Sequence, residues 1–167
     1  LKKKESMKRI ALCLLFAGIL SCQGTAQPKK ETKTYRVVKT DAEWQEQLSE
    51  LSYYVLRKAG TERPFSNPYN KNYDTGTYVC QGCGTPLYKS DDKFDSGTGW
   101  PSFDRGFDAN LEYDVDYKLG YARTELKCSN CGGHLGHMFD DGPKQTTGKR
   151  HCINSAALQF ISEDEKK

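Results

Sequence analysis

Two Cys-x-x-Cys pairs, Cys80-Gln81-Gly82-Cys83 and Cys128-Ser129-Asn130-Cys131, stand 44 residues apart in a chain of 167, and this spacing constrains the fold more than any other feature. Thiolates in paired knuckles suit a tetrahedral zinc site, and Gly82 within the first pair and Gly132 just after the second permit the tight turns such a site needs. The gap is longer than a small zinc ribbon uses, so the metal is expected to staple two distant hairpins together. Disulfides are the competing assignment if the chain is exported to an oxidising compartment. Bridges within each Cys-x-x-Cys would be strained, however, and would leave the halves of the domain untied. Zinc is therefore the favoured reading, with structural metal supplying folding energy directly.

The N-terminus predicts export. From Met7, a reasonable start, Lys8 and Arg9 precede an apolar run from Ile10 to Leu20, the pattern of a signal peptide. The run is too short to span a bilayer, which takes about 20 apolar residues. Ile19-Leu20-Ser21-Cys22 is similar to a lipoprotein lipobox, which assigns residues 1–22 to a signal peptide ending in a lipid-bearing Cys22. Cys13 would leave with the leader. Residues 23–38 are polar and lysine-containing and read as a flexible tether. Residues 39–162 form the expected domain, and 163–167 a tail. These boundaries place the protein at the cell envelope, facing the periplasm and held to the membrane by the lipid.

The charge argues against a nucleic-acid partner. The net charge is +3, but Lys2, Lys3, Lys4, Lys8, Arg9, Lys29, Lys30 and Lys33 crowd the N-terminus, leaving the domain near neutral or acidic. A nucleic-acid binder is expected to carry its basic patch on the folded part.

Within the domain, Thr40-Asp41-Ala42-Glu43 is a capping-box pattern, and Trp44, Leu48, Leu51 and Val55 recur at helical spacing up to Gly60, which predicts one or two short helices packed by that stripe. After Pro64 and Pro68 the pattern changes to short β-like runs: Tyr78-Val79, Leu87-Tyr88, Leu111 to Tyr117, Tyr121 to Leu126, His151 to Ile153 and Leu158 to Ile161. That spacing predicts an antiparallel β domain. Leu111 to Tyr117 alternates strictly, one face apolar and the other acidic, as in a strand wet on one side. The fold class expected is mainly β, with short N-terminal helices.

Once leader, lipid and metal have taken six cysteines, Cys152 is the one thiol unassigned. Arg150 lies two positions earlier, on the same face if the segment is a strand, where its guanidinium favours the thiolate. His134 and His137, in a glycine-rich stretch just past the second knuckle, offer imidazoles able to transfer a proton to a leaving oxygen. A buried, inert cysteine and packed structural histidines are the plainer alternatives.

Several longer stretches carry a resemblance. Thr61-Glu62-Arg63-Pro64-Phe65-Ser66, Lys93 to Phe103, Arg123-Thr124-Glu125, Gly133 to Pro143, and Arg150-His151-Cys152-Ile153-Asn154-Ser155 together resemble the methionine-R-sulfoxide reductase family across nearly all of residues 40 to 161. The resemblance implies two antiparallel β-sheets, a structural zinc on Cys80, Cys83, Cys128 and Cys131, and stereospecific reduction of the R epimer of methionine sulfoxide in peptides or proteins. It implies Cys152 as the nucleophile, with His134, His137, Arg150 and Asn154 positioning or polarising the sulfoxide and its bound water. Trp100 becomes the apolar wall for the S-methyl group.

Two positions depart from the family. Many members carry a resolving cysteine where this chain has Thr98, so the sulfenic acid left on Cys152 is expected to be reduced by an external thiol or a thioredoxin-like reductase. A knuckle cysteine is the other possible resolver. His151 replaces a usual aromatic residue and is expected to face away from Cys152 as a surface or packing change. A zinc-stapled binding module without turnover and a nucleic-acid zinc ribbon are the rival readings.

Overall fold

The computed structural model describes residues 33–163; the expected leader, lipobox and most of the tether lie outside them. No helix among the described residues is long and apolar enough to cross a membrane.

Two helices open the domain. The first, α1 (Asp41–Gln47), begins with the expected capping box: Thr40 accepts from the Glu43 backbone N–H, and the Glu43 carboxylate accepts from the Thr40 backbone N–H. It ends at Leu48, and Ser49 caps α2 (Glu50–Lys58) through the Ser52 N–H. This break resets the helical register. Trp44, Leu48 and Val55 are buried as the stripe predicts, but Leu51 turns outward and Leu56 enters the core in its place.

Nine strands follow, β1 (Gly76–Cys80), β2 (Pro86–Lys89), β3 (Lys93–Phe94), β4 (Ser102–Phe103), β5 (Leu111–Asp116), β6 (Arg123–Cys128), β7 (His134–Phe139), β8 (Arg150–Ile153) and β9 (Leu158–Ser162). All pair antiparallel, in a three-stranded sheet of order β2-β1-β9 and a six-stranded sheet of order β3-β4-β8-β7-β6-β5. The core includes Tyr78, Tyr88, Phe103, Leu126, Leu135 and Ile153. Tyr88 stacks on Phe103 with centroids 4.3 Å apart, and Tyr78 meets Phe103 edge-on at 5.1 Å. Each such buried side chain contributes roughly 2–3 kcal/mol.

The β5 alternation is real, and its apolar residues share the core face of the sheet, opposite Cys128 and Leu126, but only Leu111 is buried. Tyr113 and Val115 are exposed at the sheet edge, whereas Glu112, Asp114 and Asp116 are partly covered. That cover comes from the next strand: Lys127 pairs with Glu112 and Asp114, and Arg123 with Asp116. Opposite charges on neighbouring strands hold the acidic face together.

His151 is buried on the core face, away from Cys152, with Nδ1 3.4 Å from the Tyr88 hydroxyl and its ring edge-on to Tyr88 and Tyr113. It is a packing substitution, as expected. Burial pushes its pKa down to about 4, against about 6.5 in an unfolded chain. The folded form therefore binds fewer protons between those values, and stability falls as pH drops from about 6.5 to about 4, by at most about 3 kcal/mol. We expect urea unfolding of His151→Phe to lose less stability than the parent between pH 7 and pH 4; equal losses would show that His151 does not set this dependence.

Candidate active site

The knuckles close on one another. The four cysteine sulfurs lie within 4.8 Å of one another, with Cys80 Sγ 3.7 Å from Cys131 Sγ and Cys83 Sγ 3.6 Å from Cys128 Sγ. Four thiolates about 2.3 Å from a central metal ion would be separated by about 3.8 Å, so the donor set fits such an ion. A disulfide needs about 2.05 Å, and all five cysteines among the described residues are free. The two turns use the same hydrogen bonds. Cys80 N–H donates to Thr85 O and Gly84 N–H to Cys80 O, as Cys128 N–H does to Gly133 O and Gly132 N–H to Cys128 O. The glycine with positive φ in the first knuckle is thus Gly84, at 72°, matching Gly132 at 71°. Gly82, expected to permit that turn, instead packs near Trp44 and Leu56. Residues 34–38, assigned by composition to the tether, contact the second knuckle: Val37 N–H donates to Asn130 O, and Tyr35 lies over Gly132.

The second knuckle leads directly into β7, so its histidines start at the edge of the cage. Register then assembles the site. Ser102 on β4 pairs with Cys152 on β8, Cys152 with His137 on β7, His137 with Glu125 on β6, and Glu125 with Asp114 on β5. Directly opposed residues share a face, so one face of the large sheet carries the whole row. A Cβ on Gly136 would lie 2.0 Å from the Cys152 carbonyl oxygen, so β7 and β8 need glycine there to pair this closely.

Cys152 lies half-buried in a cavity of about 140 Å³ lined by Thr61, Trp100, Arg123, His137, Phe139 and Asn154, among others. The Arg150 guanidinium and the Thr98 hydroxyl both favour the thiolate of Cys152. Burial pushes the thiol pKa up, and the Arg150 charge and the Thr98 hydroxyl pull it down without cancelling the rise. The expected support of the thiolate by Arg150 is thus present but does not prevail. Arg150 itself is fixed by a two-pronged pair with Asp141 at 2.8 and 2.9 Å and by the Phe139 ring 4.4 Å from its guanidinium carbon.

Each histidine has a carboxylate behind it. His137 Nε2 lies 2.8 Å from Asp116, and His134 Nδ1 lies 2.6 Å from Glu125. Burial lowers the His137 pKa against the pull of Asp116. A carboxylate of this kind fixes the ring and stabilises the imidazolium formed when it takes up a proton. Arg123 also binds Asp116, and its buried Nε has no protein partner. Asp116, Glu125 and Arg123 had no role from sequence reasoning; the acidic face of β5 and the Arg123-Thr124-Glu125 stretch were the available signals.

Trp100 lines the cavity, with its indole N–H donating to Glu62 O at 3.2 Å. Asn154 lines it too, while its amide nitrogen donates to Leu135 O and its oxygen accepts from Glu62 N–H. Its side chain therefore ties β8 to β7 and to the Thr61–Glu62 segment. The buried Glu62 carboxylate completes that tie by accepting from the Ser155 and Ala156 N–H groups. Cys152, His137, Asn154 and Trp100 thus line one cavity, while His134 stands beside it with its ring 5.3 Å from that of His137, and Arg150 lies outside the lining but acts on the Cys152 sulfur by its charge. The metal cage lies apart from that cavity's lining.

The SelR domain family matches residues 48–162. Proteins described as peptide methionine sulfoxide reductase MsrB are similar to this chain. That of Bradyrhizobium diazoefficiens is 50% identical over 136 residues, covering 80% of this chain and 97% of the relative. That of Chromohalobacter salexigens is 49% identical over 126 residues, covering 75% and 95%, and that of Leptospira interrogans is 49% identical over 130 residues, covering 77% and 98%.

Replacing Arg150 with Met removes the positive charge that favours the Cys152 thiolate. The pH midpoint for alkylation of Cys152 by iodoacetamide is expected to rise by about one unit; an unchanged midpoint would show that Arg150 has no hold on the thiolate.

Proposed function

The chain belongs to the SelR family of peptide methionine sulfoxide reductases, and on that premise we propose that it reduces the R epimer of methionine sulfoxide in peptides and proteins, with Cys152 as the nucleophile. The observation carrying this is the placement of Cys152 in a small, partly apolar cavity also lined by Trp100 and Asn154, directly opposite His137.

The chemistry follows from that placement. The S-methyl group rests against Trp100, which orients the sulfoxide sulfur toward Cys152. The sulfoxide oxygen is a poor leaving group until protonated, and His134 and His137, each backed by a carboxylate, deliver that proton directly or through water. The Arg123 Nε–H is a further donor for the oxygen or its water. The Cys152 thiolate bonds to the substrate sulfur while the sulfoxide oxygen takes up the proton. The hydroxyl then passes to Cys152 as the substrate S–O bond and the new S–S bond both break, so methionine leaves and Cys152 is left as a sulfenic acid. Thr98 has no thiol to resolve it. An external thiol therefore displaces the oxygen as water to give a mixed disulfide, and a second thiol releases Cys152 and leaves as the oxidised reductant. A thioredoxin-like protein is the proposed donor of both.

Zinc is the proposed metal for the four-cysteine cage, where four thiolate bonds would link the turn between β1 and β2 to the turn between β6 and β7. Export and lipid attachment at Cys22 complete the proposal, with the enzyme at the cell envelope repairing oxidised exported proteins.

The test is turnover of separated epimers with dithiothreitol. The R epimer is expected to be reduced and the S epimer left unchanged, with R turnover abolished in Cys152→Ser; reduction of S, or an active Cys152→Ser, would refute the assignment. Labelling of cells with radioactive palmitate should mark the parent protein and not Cys22→Ala; a parent as unlabelled as the variant would exclude the lipid anchor.

A further inference from the structure

The reaction cavity, at about 140 Å³, is far below the roughly 300–1,000 Å³ of a pocket that encloses a whole small ligand. It has room for one side chain, and the polypeptide carrying that side chain must lie outside it. Thr61, Arg123 and His137 line this cavity and also a second cleft of about 690 Å³, so the two are continuous.

The second cleft has a charged floor and an apolar rim. On the floor, Arg123 and His137 share Asp116, and His134 holds Glu125. The carboxylates of the floor are therefore committed to their own ion pairs. The rim is formed by Val115, Tyr117 and Leu119, which are 55%, 67% and 60% exposed. Lys118 fixes this hairpin over the end of α2, its ammonium donating to the Ala59 carbonyl at 2.9 Å. Tyr113 and Tyr121 extend the apolar surface of the same hairpin.

An exposed apolar face at a sheet edge is a hazard for aggregation, and such patches mark binding surfaces where they persist. Here the patch continues into the lining of the reaction cavity. We propose that the cleft between Val115–Leu119 and Ala59–Thr61 is a subsite for an apolar side chain neighbouring the methionine sulfoxide, so that the enzyme selects non-native polypeptide segments in which the oxidised methionine lies among aliphatic or aromatic residues. This rests on the proposed sulfoxide reduction and names the sequence context that the same site prefers. The occupant is apolar because Asp116 and Glu125 are already paired on the floor, the remaining Arg123 Nε–H serves the sulfoxide oxygen or its water, and the rim presents Val115, Tyr117 and Leu119 while the Lys118 ammonium is held by the Ala59 carbonyl.

The test compares three substrates with the full chain: N-acetyl-methionine-R-sulfoxide methylamide, a peptide with leucine and phenylalanine flanking the sulfoxide, and the same peptide with serine at both flanks. The parent is expected to favour the apolar peptide by about tenfold in kcat/KM, chiefly through KM. The double variant Tyr117→Ser/Leu119→Ser should treat the two peptides alike and turn over the small substrate at the parental rate. Val115→Thr, a milder change on the same rim, should reduce the preference without abolishing it and checks the result independently of any effect of the double variant on folding. A parent indifferent to the flanks, or a preference that survives the double variant, overturns the subsite. Failure of the parent to reduce even the small substrate would instead refute the underlying reaction.

Discussion

Antiparallel register is the constraint on which this site depends. Cys152 faces His137 because β8 pairs with β7 in one register, and His137 faces Glu125 because β7 pairs with β6 in another. A slip of one residue at either pairing would send the displaced residues to the opposite face of the sheet. The close approach at Gly136 and the Asn154 tie between β8, β7 and the Thr61–Glu62 segment oppose such a slip. Buried ion pairs on the same face add a second check, since Asp116 meets Arg123 and His137 only when three strands are correctly aligned.

The four-cysteine cage acts on the same assembly from one end. Its knuckles occupy the turns β1–β2 and β6–β7, which belong to different sheets. A bound metal would therefore fix the sheets relative to each other and hold the start of β7, one residue after Gly133, where His134 begins. The distance in sequence between the knuckles reflects this task, because the strands that build most of the large sheet's outer half lie between them.

Much of this was legible in the sequence. The capping box, both helices, the metal knuckles and six of the nine strands follow from local patterns, and the motif stretches lead to one cavity. The strand β7 is hidden because His134-Leu135-Gly136-His137 shows no alternation and contains a glycine whose reason is a contact with Cys152, a residue distant in sequence. The two-residue strands β3 and β4 are too short to produce a pattern. Alternation in β5 shows that there are two faces, but only the pairing of its carboxylates with Lys127, Arg123 and His137 shows that the acidic face builds the site and is not left to solvent. The helix break at Leu48–Ser49 likewise moves Leu51 out of a stripe that an unbroken helix would have buried.

Burial raises the Cys152 pKa while Arg150 and Thr98 lower it, so the balance favours the thiol over the thiolate more than in a free cysteine. Its reactivity must be drawn out by a substrate that fills the cavity and excludes water from the sulfur. The most direct test of the account is a single turnover of methionine-R-sulfoxide without added reductant, followed by mass analysis of every cysteine-containing peptide. The account predicts one methionine formed per chain and one oxygen atom gained at Cys152 alone. Methionine formed while Cys152 stays unmodified, or oxygen or a disulfide at a knuckle cysteine instead, would contradict it.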